Sequence, residues 1–340
     1  MSEPSDGSAA ELRCDFCQSS IPEAPVVLER EEADYRFCTE ACRDAMGDAD
    51  RVFTSFRGHR QFDPGVAALG SNLPQGLLRN SFVLVSSQPG TRDAAMLAEL
   101  AWRTLQRGEP AVVVSFNQPP VAVVERFLGL GWNVLPYLES GRLHLIDCFT
   151  YRVGDRDRML SRMNEWNSHL WDVAAPETTA VRDPTNIGEL ENRIDDCLEA
   201  KDMADEGVVV IDTLTEFGAL VQPVRAYDFV KDLRAEVCKG RFVPVFAGAT
   251  YAGDAEQFPH DLEYLFDGIV DLELNPEIVE GALIKRARIR KMAGVLSYAQ
   301  WTAYEFTSGE GLVMFDPEAE VERSEAEREA AAEADDTASE

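Results

Sequence analysis

The chain has 340 residues, 45% of them apolar, enough to bury a large core and a small second one. Its 61 acidic residues against 32 basic ones leave a net charge of −29, which repels nucleic-acid phosphates and disfavours a nucleic-acid partner. No apolar run approaches the roughly 18 residues of a membrane span, and the polar, acidic start MSEPSDGSAAEL does not read as a signal peptide, so the expectation is a cytoplasmic protein without a membrane partner.

Only five of the basic residues are lysine: Lys201, Lys231, Lys239, Lys285 and Lys291. A diffuse acidic excess with scarce lysine suits a halophilic protein, whose surface self-repulsion is screened over about 3 Å at 1 M salt.

Residues 1–11 read as a disordered leader. In 12–47, Cys14-x2-Cys17 is followed by Cys38-x3-Cys42. Two close cysteine pairs at that separation suit tetrahedral zinc, and a cytosolic setting disfavours the alternative of disulfides. A hairpin over 26–37 would return the chain to the site. Cys42 would then lie in the first turn of a helix over 39–46, where the helix N-terminus favours thiolate charge. The stretch YRFCTEACRDAM resembles the second half of a TRASH-type treble-clef finger, a family linked to metal sensing or handling. A zinc that only folds the module is the simpler role; a metal-responsive regulator is the alternative.

Residues 48–75 read as a linker. From 76 to 315 apolar runs alternate with amphipathic stretches. Buried-strand candidates are 82–86, 111–116, 143–146, 208–211, 243–247 and 268–274, several of them continuous Val/Ile runs as a parallel sheet covered on both faces requires. Ile187, Leu190, Ile194 and Leu198 mark a helical stripe with Thr185 or Asn186 as its cap. Segments 282–292, 303–307 and 312–315 read as an antiparallel addition at one edge. The result is a doubly wound, mostly parallel α/β sheet. Residues 316–340 hold eleven acids and two arginines and read as a disordered tail.

SSQPGTRDAA, residues 86–95, follows a strand and opens a helix, which is the setting of a phosphate loop. Together with FVLVSSQPGT, GVVVIDTLTEF, FDGIVDLEL and RARIRKMAG, it resembles the KaiC/RecA-like ATPases over about 235 residues. The resemblance implies a RecA-like fold and a nucleotide site at Gly90, Thr91, Arg92 and Asp212, and a homo-oligomer is compatible with it. Ser87 stands at the family's first glycine, Asp93 at its lysine and Ala94 at its magnesium-binding hydroxyl. Asn117 and Gln118 occupy the place of the family's water-activating glutamates, and neither can act as a general base. At an effective dielectric near 20, losing a lysine 4 Å from a phosphate costs about 4 kcal/mol, or about three decades of affinity. These replacements argue against Mg-ATP as a cofactor and against catalysis. They leave a regulatory protein that acts through protein partners, with an ATPase using an atypical loop as the alternative.

In LIKRARIRKM, residues 283–292, alternation places Arg286, Arg288 and Arg290 on one face and Lys285 and Lys291 on the other. Trp166, His169 and Trp171 fall on a helix within 155–175, with packing as their role. His144 is expected in the core or at its boundary, and Cys148, Cys197 and Cys238 as buried small hydrophobes.

Overall fold

The computed structural model describes residues 12–17, 19–21, 24–30, 33–48, 61–152, 158–159, 161–251, 258–279, 281–320 and 323. The expected leader, most of the acidic tail and residues 49–60 of the expected linker lie outside them. The chain divides into two units, residues 1–60 and 61–340.

In the first unit, strands β1 (Val26–Arg30) and β2 (Ala33–Phe37) pair antiparallel, and helix α1 (Glu40–Asp48) follows. Thr39 caps the helix by accepting from the Cys42 N–H at 3.2 Å. The buried apolar centre consists of Cys14, Phe37 and Met46. Three side chains are too few to hold such a module together by burial alone.

The second unit starts with β3 (Gln61–Phe62) and α2 (Ala67–Gly70), followed by β4 (Leu77–Leu78), which pairs with β3. The second half of the expected linker is therefore folded. Leu69, at 1% exposure, and Leu73 are buried in the main core, apolar anchors that the surrounding Gly and Pro obscure in the sequence.

The main sheet is built from β5 (Phe82–Ser87), β6 (Ala111–Ser115), β7 (Leu143–Asp147), β8 (Thr178–Ala180), β9 (Val208–Asp212), β10 (Val245–Thr250), β11 (Gly268–Asn275), β12 (Ile284–Met292), β13 (Thr302–Thr307) and β14 (Gly311–Met314). Its order is β14-β13-β12-β11-β5-β10-β9-β6-β7-β8. The strands from β11 to β8 are parallel, and β12, β13 and β14 add antiparallel at the edge. Every residue of β5, β6, β7 and β9 is buried, as their apolar runs require.

Helices α3 (Asp93–Gln106), α4 (Pro120–Gly129), α5 (Leu135–Glu139) and α6 (Glu165–Ala174) pack on one face. Helices α7 (Ile187–Ala200), α8 (Leu214–Leu220) and α9 (Pro223–Leu233) pack on the other. Gly248 lets α3 approach β10: a Cβ there would stand 2.6 Å from a Leu97 methyl carbon. Asn186 caps α7, accepting from the Glu189 N–H. The fully buried Glu99 of α3 accepts from the Leu312 N–H at 2.8 Å and from Arg103, which ties β14 to the helix layer. Trp171 packs against the core of its face, whereas Trp166 is 52% exposed beside His169. His144 is buried between Glu177 and Thr179, and all three isolated cysteines are buried.

Where α7 meets α9, Glu191 faces Asp228, Asp232 and Glu236. Burial and those three carboxylates push its carboxyl up to about 7. Because the folded value exceeds the ordinary 4.5, the native state binds more protons than the unfolded chain between these values. The Glu191 contribution is therefore present at low pH and is lost as pH rises from about 4.5 through 7. Glu191→Gln is expected to flatten this part of the curve and raise Tm most above pH 7. Calorimetric melts from pH 4 to 8 test it, and unchanged pH dependence in the variant would show that the crowding has no thermodynamic weight.

Candidate functional site

Two places carry the chemistry expected from the sequence. The first is the cysteine cluster. Cys14 and Cys17 lie on a turn whose Asp15 carboxylate accepts from the Arg36 N–H at 2.5 Å, fixing it against β2. Cys38 follows β2 and Cys42 lies in α1. All four Sγ atoms lie within 4.8 Å of one another, with Cys17–Cys38 at 3.6 Å and Cys38–Cys42 at 3.7 Å. Four thiolates about 2.3 Å from a tetrahedral zinc stand about 3.8 Å apart. The geometry fits the metal, and no other group of His, Cys, Asp or Glu among the described residues reaches that density.

The second place is the turn after β5. Gly90 adopts φ +94°, a conformation open to glycine at little cost. Thr91 is fully buried, and its hydroxyl donates back to the Gln88 carbonyl at 2.7 Å. Arg92 also has positive φ, +61°, and its side chain turns outward. Its Nε lies 3.6 Å from Glu305 and its guanidinium lies over the Phe306 ring. Asp93 opens α3, so a carboxylate stands at the positive end of the helix where a phosphate loop would receive its anion. Burial, reinforced by Asp93, pushes the Tyr304 phenol up; its hydroxyl donates to the Thr91 carbonyl.

Asp212 ends β9, which β10 separates from β5. It is 2% exposed, and both of its oxygens are engaged. Asn117 Nδ2 donates to Oδ1 at 3.2 Å, and Arg126 Nη1 donates to Oδ2 at 2.5 Å. The other Arg126 nitrogen, Nη2, donates to Gln118 Oε1 at 2.5 Å. Asn117 and Gln118 thus join one network with Asp212, and Arg126 supplies the cation that balances its charge. Sequence reasoning placed Asp212 in a nucleotide site; its side-chain bonds here run to Asn117 and Arg126. It missed Arg126, whose signal was a single cation in the apolar helix PVAVVERFLG.

The arginines of β12 are also paired. Arg286 meets Glu273, Arg288 meets Asp271, and Arg290 bridges Asp271 and Glu263. Lys285 pairs with Glu305, while Lys291 donates to the Glu263 carbonyl, on the side that Arg290 also reaches. The register shift at Ile269/Val270, opposite this end of β12, interrupts the alternation on which the two-face expectation rested.

The family model for the KaiC ATPase matches residues 62–319, and that for the MYM-type zinc finger with FCS sequence motif matches residues 11–45. The chain belongs to the KaiC ATPase family and carries an N-terminal zinc finger whose match is MYM-type, where sequence alone suggested TRASH-type. It is 27% identical to a UPF0273 protein of Methanopyrus kandleri over 258 residues, covering 75% of this chain and 91% of the relative. A UPF0273 protein of Pyrococcus horikoshii is 23% identical over 256 residues, covering 75% and 94%. The crystal structure of a KaiC-like protein from Pyrococcus horikoshii superposes with a TM-score of 0.58 at 15% identity, covering 76% of this chain and all of that one, which supports the shared fold. No helix among the described residues is long and apolar enough to cross a membrane.

Proposed function

We propose that this protein is a non-catalytic member of the KaiC ATPase family that works as a regulatory scaffold, engaging protein partners through its RecA-like unit and its zinc-bearing finger. The carrying observation is the closed network at the end of β9. Asp212 has both oxygens bonded, one of them to the Arg126 guanidinium, whose positive charge opposes a magnesium ion at the same carboxylate. Asp93 at the start of α3 supports the reading, since it repels the phosphate that a lysine would attract. Asn117 and Gln118 cannot take a proton from water. The four cysteines would hold zinc in a structural role, their closed set offering no open coordination position.

Titration calorimetry with ATP and magnesium in about 1 M KCl, paired with a phosphate-release assay, tests the proposal. Expected are no turnover and binding weakened by about three decades relative to a lysine-bearing loop. Micromolar binding with sustained phosphate release would replace the proposal with an atypical ATPase.

A further inference from the structure

The cysteines of this chain fall in two chemical settings. Cys148, Cys197 and Cys238 are buried in the main core. Burial pushes all three thiols up, that of Cys197 to about 12, so near neutral pH they stay protonated and unreactive toward oxidants.

The finger is the opposite case. Cys14 is enclosed, but Cys17, Cys38 and Cys42 are only partly buried. Zinc requires all four as thiolates, the form of cysteine that peroxides oxidise. Four thiolates around one divalent ion leave two negative charges in excess, so electron density stays on the sulfurs. The only cysteines of this chain that are both thiolate and reachable from solvent are therefore the ones that hold the module together.

The same sulfurs are placed to trap the first oxidation product. Cys38 Sγ lies 3.6 Å from Cys17 Sγ and 3.7 Å from Cys42 Sγ. A sulfenic acid on Cys38 thus has a resolving thiolate at contact distance. Cys17 is the better placed of the two. Its turn is clamped to β2 by bonds that do not involve the metal: the Asp15 N–H donates to the Arg36 carbonyl at 2.8 Å, and the Asp15 carboxylate accepts from the Arg36 N–H. Cys42 stands on α1, whose buried link to the hairpin is Met46.

We propose that the finger is a peroxide-responsive switch, in which Cys17 and Cys38 close a disulfide and the zinc is released. The switch rests on the structural zinc of the preceding section and adds a second state to it. The Cys38 thiolate attacks one oxygen of hydrogen peroxide, the O–O bond breaks, and hydroxide leaves, giving the sulfenic acid. The Cys17 thiolate then attacks the Cys38 sulfur and displaces a second hydroxide. Each sulfur gives up one electron and the peroxide takes both. Zinc stays divalent and leaves because two of its four ligands are gone. The disulfide keeps the Cys17 turn on β2, while α1 loses its metal anchor. A dithiol reductant returns the two electrons and restores the metal site.

The test starts from the full chain, purified reduced, with its zinc content measured first. Hydrogen peroxide is then added in modest molar excess. A chromogenic chelator follows the zinc, and peptide mass spectrometry maps the disulfides. One zinc is expected to be released per Cys17–Cys38 disulfide formed, and amide signals from α1 should move to unfolded positions. Dithiothreitol with added zinc should reverse both changes. A Cys148→Ala, Cys197→Ala, Cys238→Ala variant keeps the finger whole and should release its zinc as the parent does. A chain that carries zinc and retains it while its finger thiols are oxidised overturns the switch alone. So does zinc release that tracks a Cys38–Cys42 disulfide, or that is lost in the triple variant. A chain that carries no zinc before treatment overturns the structural-zinc reading and the switch with it.

Discussion

Arg126→Ala is expected to destabilise the RecA-like unit by about 3–5 kcal/mol, the range for stranding one partner of a buried ion pair. Asp212 is 2% exposed and the Arg126 side chain 15%, so solvent screens this pair little. Without the guanidinium, the Asp212 carboxylate would keep one neutral hydrogen bond, from Asn117, and Gln118 would lose its charged donor. Urea unfolding followed by far-UV circular dichroism gives the magnitude. Arg126→Ala combined with Asp212→Asn is expected to recover a large part of the loss, because the second change removes the stranded charge. Coupling of at least 1 kcal/mol between the two sites would identify a true pair. A single variant within about 0.5 kcal/mol of the parent, or strict additivity in the double variant, would mean that the network carries no weight.

The same network shows what a sequence yields and what it withholds. The strand expected at 208–211 and found at Val208–Asp212 is legible because four consecutive apolar residues suit a sheet covered on both faces. The strand-turn-helix at 82–106 is also legible, because Gly90, Thr91, Arg92 and Asp93 are adjacent between a strand and a helix. Asp212, Asn117 and Arg126 are not adjacent, and their meeting depends on β6 and β9 being neighbours with Ser115 level with Asp212. A warning was present in the sequence: an aspartate that ends a buried apolar run needs a cation. Which of the arginines supplies it is a tertiary question. The folded stretch from Gln61 was hidden for another reason, since two-residue strands carry too few positions to show a period.

In the finger, Cys38→Ser is expected to have the largest effect of any single change. Cys38 Sγ lies within 4 Å of both Cys17 and Cys42, so its loss opens the cluster at its centre. Structural zinc in small finger peptides contributes about 10–16 kcal/mol of apparent binding free energy near pH 7, and here that must serve for folding as well. A buried centre of Cys14, Phe37 and Met46 offers only a few kcal/mol, at about 1.5–3 kcal/mol per large side chain, against the entropy of ordering more than thirty residues. The parent protein is expected to hold one zinc per chain by atomic absorption. Cys38→Ser should lose it, and amide signals from residues 12–46 should collapse to unfolded positions. Acidification should release the same ion, since protons compete with metal for thiolate sulfur, and excess chelator should reproduce the variant's spectrum at neutral pH. The melt assigned to residues 61–340 supplies the internal control. A Cys38→Ser protein that keeps stoichiometric zinc, or a chelated parent whose finger signals stay dispersed, would show that the module folds by packing and that the cluster serves some purpose other than stability.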